Sequence, residues 1–334
     1  MDKVTTVGID LAKNTFSLHG VDASGQVVLR KTVSRARLMV VVTQLAPCTV
    51  GMEACSGAHE WARRFQAAGH TVKIMAPKFV VPYRRSGKND GNDAEAICEA
   101  VQRPSMRFVP IKSVEQQAIL AMHRVRQGFI EERTATINRV RGLLAEFGTV
   151  LPQRAAEVRR GAAAAAEALP PLARHAVEDL MSHLAGLDER IKSYDRELES
   201  LARSSETVQR LMTVPGVGPL GALATVATVG HAHEFRDGRQ FAAWLGLVPR
   251  QWSTGGKPRL GRITKHGDAY LRTLLIMGAR AALQMAAGRG DRLSRWAIAL
   301  KERRGYHRAV VALAAKNARI LWAMLAHGAE YRIA

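Results

Sequence analysis

The sequence predicts an α/β amino-terminal domain followed by two mainly helical sections, and three observations carry that reading. Short β-rich runs punctuated by turn residues fill the first hundred positions. Leucines spaced by three and four run through the middle of the chain. Aromatics make up only 5% of the 334 residues while alanine and leucine abound, which favours helices over a sandwich or barrel. The hydrophobic share of 47% is enough for a real core, in two or three domains at this length.

Residues 4–10, 15–21 and 26–33 read as a three-strand meander. Residues 35–46 look helical, 49–53 are a strand, 58–68 a helix and 72–75 a short buried strand. Residues 93–102 supply the next helix, and Pro104 and Pro110 close a unit taken as residues 1–110. Three strands followed by alternating helix and strand is the order of an RNase H-like fold.

The section 111–205 opens on a capping box, Ser113-Val114-Glu115-Gln116. Ile130, Ile137 and Leu144 recur every seven residues, as do Arg133, Val140 and Phe147. Beyond an alanine run at 162–166 and a break at Pro170-Pro171, the residues Leu180, Leu184, Leu187, Ile191, Tyr194, Leu198 and Leu201 draw a coiled-coil seam. Two such helices make either an arm that contacts a second copy or a hairpin packed on its own chain.

The last section, 206–334, starts at "LMTVPGVGPLGALATVATVG", which reads as a helix-hairpin-helix. Gly216 and Gly218 would free backbone N–H groups for a phosphate at a helix N-terminus; the plainer alternative is a tight interhelix turn. A basic loop at 249–268 follows, then helices at 270–287, 293–301 and 309–325.

A formal charge of +20 and a pI near 10.7 call for a polyanion, and nucleic acid is the usual one. An acidic membrane surface competes, but no stretch reads as long and apolar enough to span a bilayer and no signal peptide opens the chain. Cys48, Cys55 and Cys98 form no CxxC pair, which argues against a zinc ribbon or a disulfide framework. A reducing cytoplasm is the expected location.

The stretch "RRSGKNDGNDAEAI" sets Asp90 and Asp93 three positions apart, on one face of any helix that starts there. Two carboxylates ~4 Å apart repel by roughly 4 kcal/mol at an effective dielectric of about 20, so something must compensate. Asp10 ends the strand "VTTVGID" and Glu53 ends "TVGMEA". In an RNase H-like sheet those ends lie close, and a helix bearing Asp90 and Asp93 would close over them. Four converging acids suit Mg²⁺, or Mn²⁺, bound by carboxylates and water; paired ions can stabilise both attacking and leaving oxygens of a phosphodiester. Singly, each acid reads more readily as a structural cap or turn residue; as a set, in this order and in so basic a chain, the balance reverses. Arg84, Arg85 and Lys88 would steer a phosphate backbone, or form a solvated loop.

The second centre is "PRQWSTGGKPRLGRITKHGDAYLR". Ser253-Thr254 precedes Gly255-Gly256, and Lys257, Arg259, Arg262 and Lys265 follow. A serine is a poor nucleophile without a base or metal to activate it, and no histidine–aspartate pair is evident nearby. In isolation this is a phosphate-binding loop.

The series "GID", "GMEACSG", "NDGNDA", "VPGVGP", "FAAWLGLVPRQWSTGGK" and "ITKHGDAYLRTLL" runs from one end of the chain to the other. In that order it resembles the insertion-sequence transposases that pair a RuvC-like DEDD domain with a carboxy-terminal domain carrying a catalytic serine. The resemblance implies a DNA recombinase with metals at Asp10, Glu53, Asp90 and Asp93 and a covalent phosphoserine at Ser253. It also implies a structured non-coding guide RNA and a homo-oligomer, dimer or tetramer, in which the acidic domain of one subunit faces the serine domain of another. Some relatives carry the serine directly before glycine, where Thr254 stands here. Ser253 is the expected nucleophile because its primary hydroxyl is less hindered. Two other readings are a RuvC-like junction endonuclease that hydrolyses without Ser253, and a non-catalytic nucleic-acid binder.

Overall fold

The computed structural model describes residues 4–85, 87 and 89–332. The chain divides into two compact units, Met1–Ser113 and Val114–Ala334.

In the first unit, β1 (Thr6–Leu11), β2 (Thr15–Val21) and β3 (Val27–Ser34) form the expected antiparallel meander. β4 (Thr49–Glu53) and β5 (Thr71–Met75) then add in parallel to β1, giving the order β3-β2-β1-β4-β5-β6. The edge strand β6 (Phe108–Val109) lies between the two prolines that mark the end of the unit in the sequence. One face of the sheet presents Val7, Ile9, Val50 and Met52 to α1 (Leu38–Thr43) and α2 (Ala58–Ala67), where Leu38, Val42, Trp61 and Phe65 complete an apolar core. Trp61 lies edge-on to Phe16, their ring centroids 5.4 Å apart. The short α3 (Pro77–Val80) follows β5, and the opposite face carries α4 (Asp90–Val101).

The second unit is helical apart from a two-stranded sheet, so the chain as a whole is a mixed α/β sheet followed by a mostly helical region. α5 (Val114–Glu146) and α7 (Pro171–Ser204) run antiparallel: Arg126 pairs with Asp195, the Phe129 ring meets Tyr194 edge-on, and Arg133 reaches Asp188. Leu184, Leu187, Ile191 and Leu198 of the leucine seam are buried, as are Ile137, Val140 and Leu144 opposite. The seam therefore closes on its own chain, since burying each leucine is worth about 1.5–3 kcal/mol and the facing helix is in place. α6 (Ala155–Glu167) caps the far end with Val158, Ala162 and Ala166.

The remaining helices pack around α13 (Tyr306–His327), whose Leu313, Ala314, Asn317, Ala318 and Leu321 are buried against α10 (Gly238–Trp244), α11 (Ala269–Met285) and α12 (Arg292–Arg304). By length and composition α13 is long and apolar enough to cross a membrane, which corrects the expectation that no such stretch exists. Its apolar residues are core residues of this unit.

Candidate catalytic site

The carboxylates are positioned by two glycines. β1 and β4 pair in parallel with Gly8 opposite Gly51 and Ile9 opposite Met52, so one residue further on Asp10 stands beside Glu53 at the strand ends. Side chains two apart share a face. A Cβ on Gly8 would stand 2.2 Å from the Ala94 carbonyl oxygen, and one on Gly51 would stand 2.9 Å from Val101 Cβ. α4 thus lies directly on these glycines, and Asp10 and Glu53 emerge on the face that carries it. Cys98 sits over the start of β1, its thiol 3.7 Å from the Thr6 carbonyl, and Ala94 sits over Gly8. The first turn of α4 is therefore at the end of the sheet where Asp10 and Glu53 lie.

That turn begins earlier than the sequence suggested, at Asp90. Asn89 is the N-cap, accepting a hydrogen bond from the Asn92 N–H at 2.8 Å. Asp90 and Asp93 both fall in the first turn, where the exposed N–H groups and the helix dipole favour negative charge. Arg84 donates to the Asp93 carboxylate at 3.0 Å in a half-buried pair. The repulsion expected between the two carboxylates is thus met in part by protein groups.

Asp10, Glu53, Asp90 and Asp93 are the acids that the sequence expects to converge on one point. Among the described residues no group of three or more His, Cys, Asp or Glu side chains is close enough to hold an ion. Like charges resist crowding, and Asp93 is engaged by Arg84 instead. The residue types still suit a hard cation: carboxylates from two strand ends and one helix turn. Arg85 is 76% exposed and reaches Glu95 and Glu99 only at 3.9 Å, so it is available to an anion. Lys88 lies outside the described residues. Sequence reasoning did not single out Cys55. Burial raises its thiol pKa, and the charges of Asp10 and Glu53 add to the rise, which places it beside the acids.

The serine loop is a β-hairpin. β7 (Pro249–Gln251) pairs with β8 (Leu260–Ile263), and the hairpin closes at Thr254-Gly255-Gly256-Lys257. Gly255 (φ 56°) and Gly256 (φ 74°) both take left-handed backbone, the requirement of a two-residue type I′ turn. The run "TGG" was the available signal for it. Alternation along the strands sets Trp252, Thr254, Lys257 and Arg259 on one face, with Trp252 packed over Gly261. Gln251 and Ser253 take the other face, where the Gln251 amide donates to Ser253 Oγ at 2.7 Å. Arg262 and Lys265 are exposed at the base. The His266 carbonyl accepts from Arg272, and Asp268 caps α11 through the Leu271 N–H.

The hairpin is rooted firmly. A Cβ on Gly267 would stand 1.9 Å from the Trp244 carbonyl oxygen, and Arg272 bridges the Leu245 and His266 carbonyls at 3.0 and 2.9 Å. Arg272 was missed in the sequence because its partners are backbone atoms from a distant turn.

α8 (Glu206–Met212) and α9 (Pro219–Val229) form a helix-turn-helix across the "VPGVGP" stretch. Gly216 (φ 83°) is engaged in packing: a Cβ on Gly278 of α11 would stand 1.7 Å from the Gly216 carbonyl oxygen. The buried Asn317 donates to the Pro215 carbonyl at 2.9 Å and holds this turn. Gly218 is exposed at the N-cap of α9 with open space around it.

Residues 7–148 match a family model described as "Transposase", of the DEDD type, and residues 208–294 match one described as "Transposase IS116/IS110/IS902 family". A "Probable family 20 transposase" of Pseudomonas aeruginosa is 49% identical over 98% of this chain and 99% of its own length. The chain belongs to the IS110/IS116 transposase family. The "Transposase for insertion sequence element IS1111A" of Coxiella burnetii is 44% identical, over 99% of this chain and 92% of the relative. The "Transposase for insertion sequence element IS1328" of Yersinia enterocolitica is 41% identical over 99% of each. This transposase is therefore a DNA-processing enzyme of an insertion sequence.

Proposed function

We propose that this transposase is an RNA-guided DNA recombinase whose RNase H-like first domain and serine-bearing last domain act on the same phosphodiester. The observation that carries the reading is the seating of α4 on Gly8 and Gly51, which brings the Asp90–Asp93 turn to the strand ends bearing Asp10 and Glu53. Residues 1–110 would cut, 111–205 would support assembly, and 206–334 would present the serine.

Asp10, Glu53, Asp90 and Asp93 would hold Mg²⁺ or Mn²⁺, which when bound supplies Lewis-acid stabilisation of the phosphate oxygens. Ser253 Oγ attacks phosphorus, one P–O bond of the strand breaks, and a phosphoserine ester forms. A hydroxyl of the incoming strand then attacks the ester and restores the serine. Lys257, Arg259, Arg262 and Lys265 neutralise backbone charge around the hairpin, and Arg84 and Arg85 do so beside the acids. Among the described residues the hydrogen bond given to Ser253 Oγ comes from the Gln251 amide, and in this reading the group that takes its proton is brought by a second subunit of a homo-oligomer. A structured RNA would choose the sequence by base pairing while the protein reads backbone and shape.

The test is to trap protein covalently bound to cleaved DNA, comparing wild type with Ser253→Ala and Thr254→Ala. An adduct lost in S253A and retained in T254A supports the reading. The isolated Ser253 hydroxyl favours one rival, a RuvC-like endonuclease that hydrolyses without serine; free ends and no adduct from wild type would establish it. Sequencing of copurified RNA should recover a transcript bordering the gene, and random cellular RNA would reject guidance.

A further inference from the structure

Beside the acid site, the first unit holds a cavity of about 300 Å³ between α4 and the β2–β3 ribbon, lined by Ser17, His19, Arg30, Thr32, Asn92 and Glu95 among others. That volume is at the lower end of ligand sites. The strand register ties the cavity to the carboxylates. Asp10 pairs with Ser17 and Ser17 with Thr32, while in the next row Gly8 pairs with His19 and His19 with Arg30. With strands about 4.8 Å apart, Thr32 is roughly 10 Å from Asp10 on the same face of the sheet. Ser17 Oγ and Thr32 Oγ1 already lie 3.4 Å apart.

His19 is the decisive residue. It is only 5% exposed and lines the cavity, and its ring makes no hydrogen bond with another described residue. Its ring nitrogens are not sealed among protein atoms, so they open to the cavity and can bond to what enters it. Burial holds its pKa below the ordinary value, so the ring is neutral and offers one donor and one acceptor. Across the opening, Arg30 is 67% exposed and reaches Glu95 only at 3.7 Å, a loose pair that a stronger anion can draw away. The walls argue against a bare anion, because Glu95 would repel it. They suit a ligand that carries an anionic group for Arg30 together with N–H or O–H donors for Glu95 and a polar edge for His19.

We propose that this cavity seats one nucleotide of a single strand beside the scissile phosphate, with its phosphate on Arg30, its sugar against Ser17 and Thr32, and a base edge on His19. The proposal rests on the reading that the Asp10 end of the sheet acts on a phosphodiester. The same chemistry is offered by a DNA strand being cut or by a guide RNA.

The experiment uses full-length protein and short single-stranded DNA and RNA probes of one sequence carrying 5-iodouracil. Ultraviolet crosslinks are mapped by mass spectrometry and affinity is measured by fluorescence anisotropy. Crosslinks to peptides containing His19 or Thr32 are expected, and the probe that produces them identifies the strand. His19→Leu and Thr32→Val should each weaken binding about tenfold, the loss of roughly 1.4 kcal/mol from one or two hydrogen bonds. Circular dichroism melts of both variants separate unfolding from lost contacts, and T32V, nearly isosteric, keeps the test valid if H19L unfolds. Wild-type crosslinks confined to other segments, or unchanged affinity in a folded variant, would overturn the proposal. Asp10→Asn distinguishes this from failure of the underlying reading: it should keep the crosslink and lose cleavage, and continued cleavage by D10N would sink the reading while leaving the nucleotide seat standing.

Discussion

The Cβ that Gly8 lacks would fall 2.2 Å from the carbonyl oxygen of Ala94, so the sheet face bearing Asp10 and Glu53 and the helix bearing Asp90 and Asp93 touch backbone to backbone. Gly8→Ala must push α4 outward. Overpacking of this kind costs about 1–3 kcal/mol, and more when the neighbour is backbone. A lower thermal midpoint with loss of DNA cleavage is expected. A G8A protein with wild-type melting and cleavage would show that α4 does not set the site.

Arg84 and Asp93 form a half-buried pair at 3.0 Å, and a divalent cation would compete with Arg84 for that carboxylate. Arg84→Gln should bind Mn²⁺ up to about fivefold more tightly, from the roughly 1 kcal/mol that such a pair supplies at most. Calorimetric titration of Mn²⁺ into wild type and R84Q reads this directly. Weaker binding in the variant would mean that Arg84 organises the acids and does not occupy one of them.

The type I′ turn at Gly255-Gly256 needs positive φ at both positions. Gly255→Asn should retain hairpin and adduct formation, because asparagine tolerates left-handed backbone. Gly256→Val should lose most adduct, since a β-branched residue is strained there. Comparable adduct yields from G255N and G256V would show that hairpin geometry is irrelevant to the serine.

His123 is fully buried on α5, its Nδ1 2.9 Å from the Tyr270 hydroxyl of α11, and burial lowers its pKa to about 4. Its unfolded value is near 6.5, so between pH 6.5 and 4 the unfolded chain binds more protons than the folded one. This contribution to stability is complete above pH 6.5 and lost as pH falls toward 4. The gap corresponds to about 3 kcal/mol. Urea denaturation of wild type and His123→Gln at pH 7 and pH 4.5 should show a smaller acid loss in the variant. Parallel losses would assign the effect to other groups.

The Cys55 thiol pKa is raised first by burial and then by Asp10 and Glu53. Asp10→Asn removes one of those charges and should speed alkylation by iodoacetamide a few-fold at pH 8. An unchanged rate would place Cys55 outside the field of the acids.

What the amino-acid sequence determined by itself was whatever depends on local pattern. Period-two runs located β2 and β4 to the residue, and three-and-four spacing located the buried side of α7. Asp10, Glu53 and Ser253 stood out because strand ends and hydroxyl–glycine turns carry their own signals. Long-range packing decided the rest. The leucine seam alone was compatible with a second copy or its own chain, and only the facing α5, with Arg126 on Asp195, resolves it. Gly216 and Gly218 look alike in sequence, yet α11 presses on one and leaves the other open. His19 has no motif at all: a lone histidine in a strand becomes notable only when neighbouring strands and a helix enclose it beside a cavity. Burial and partner choice are properties of residues distant along the chain, so no local window contains them.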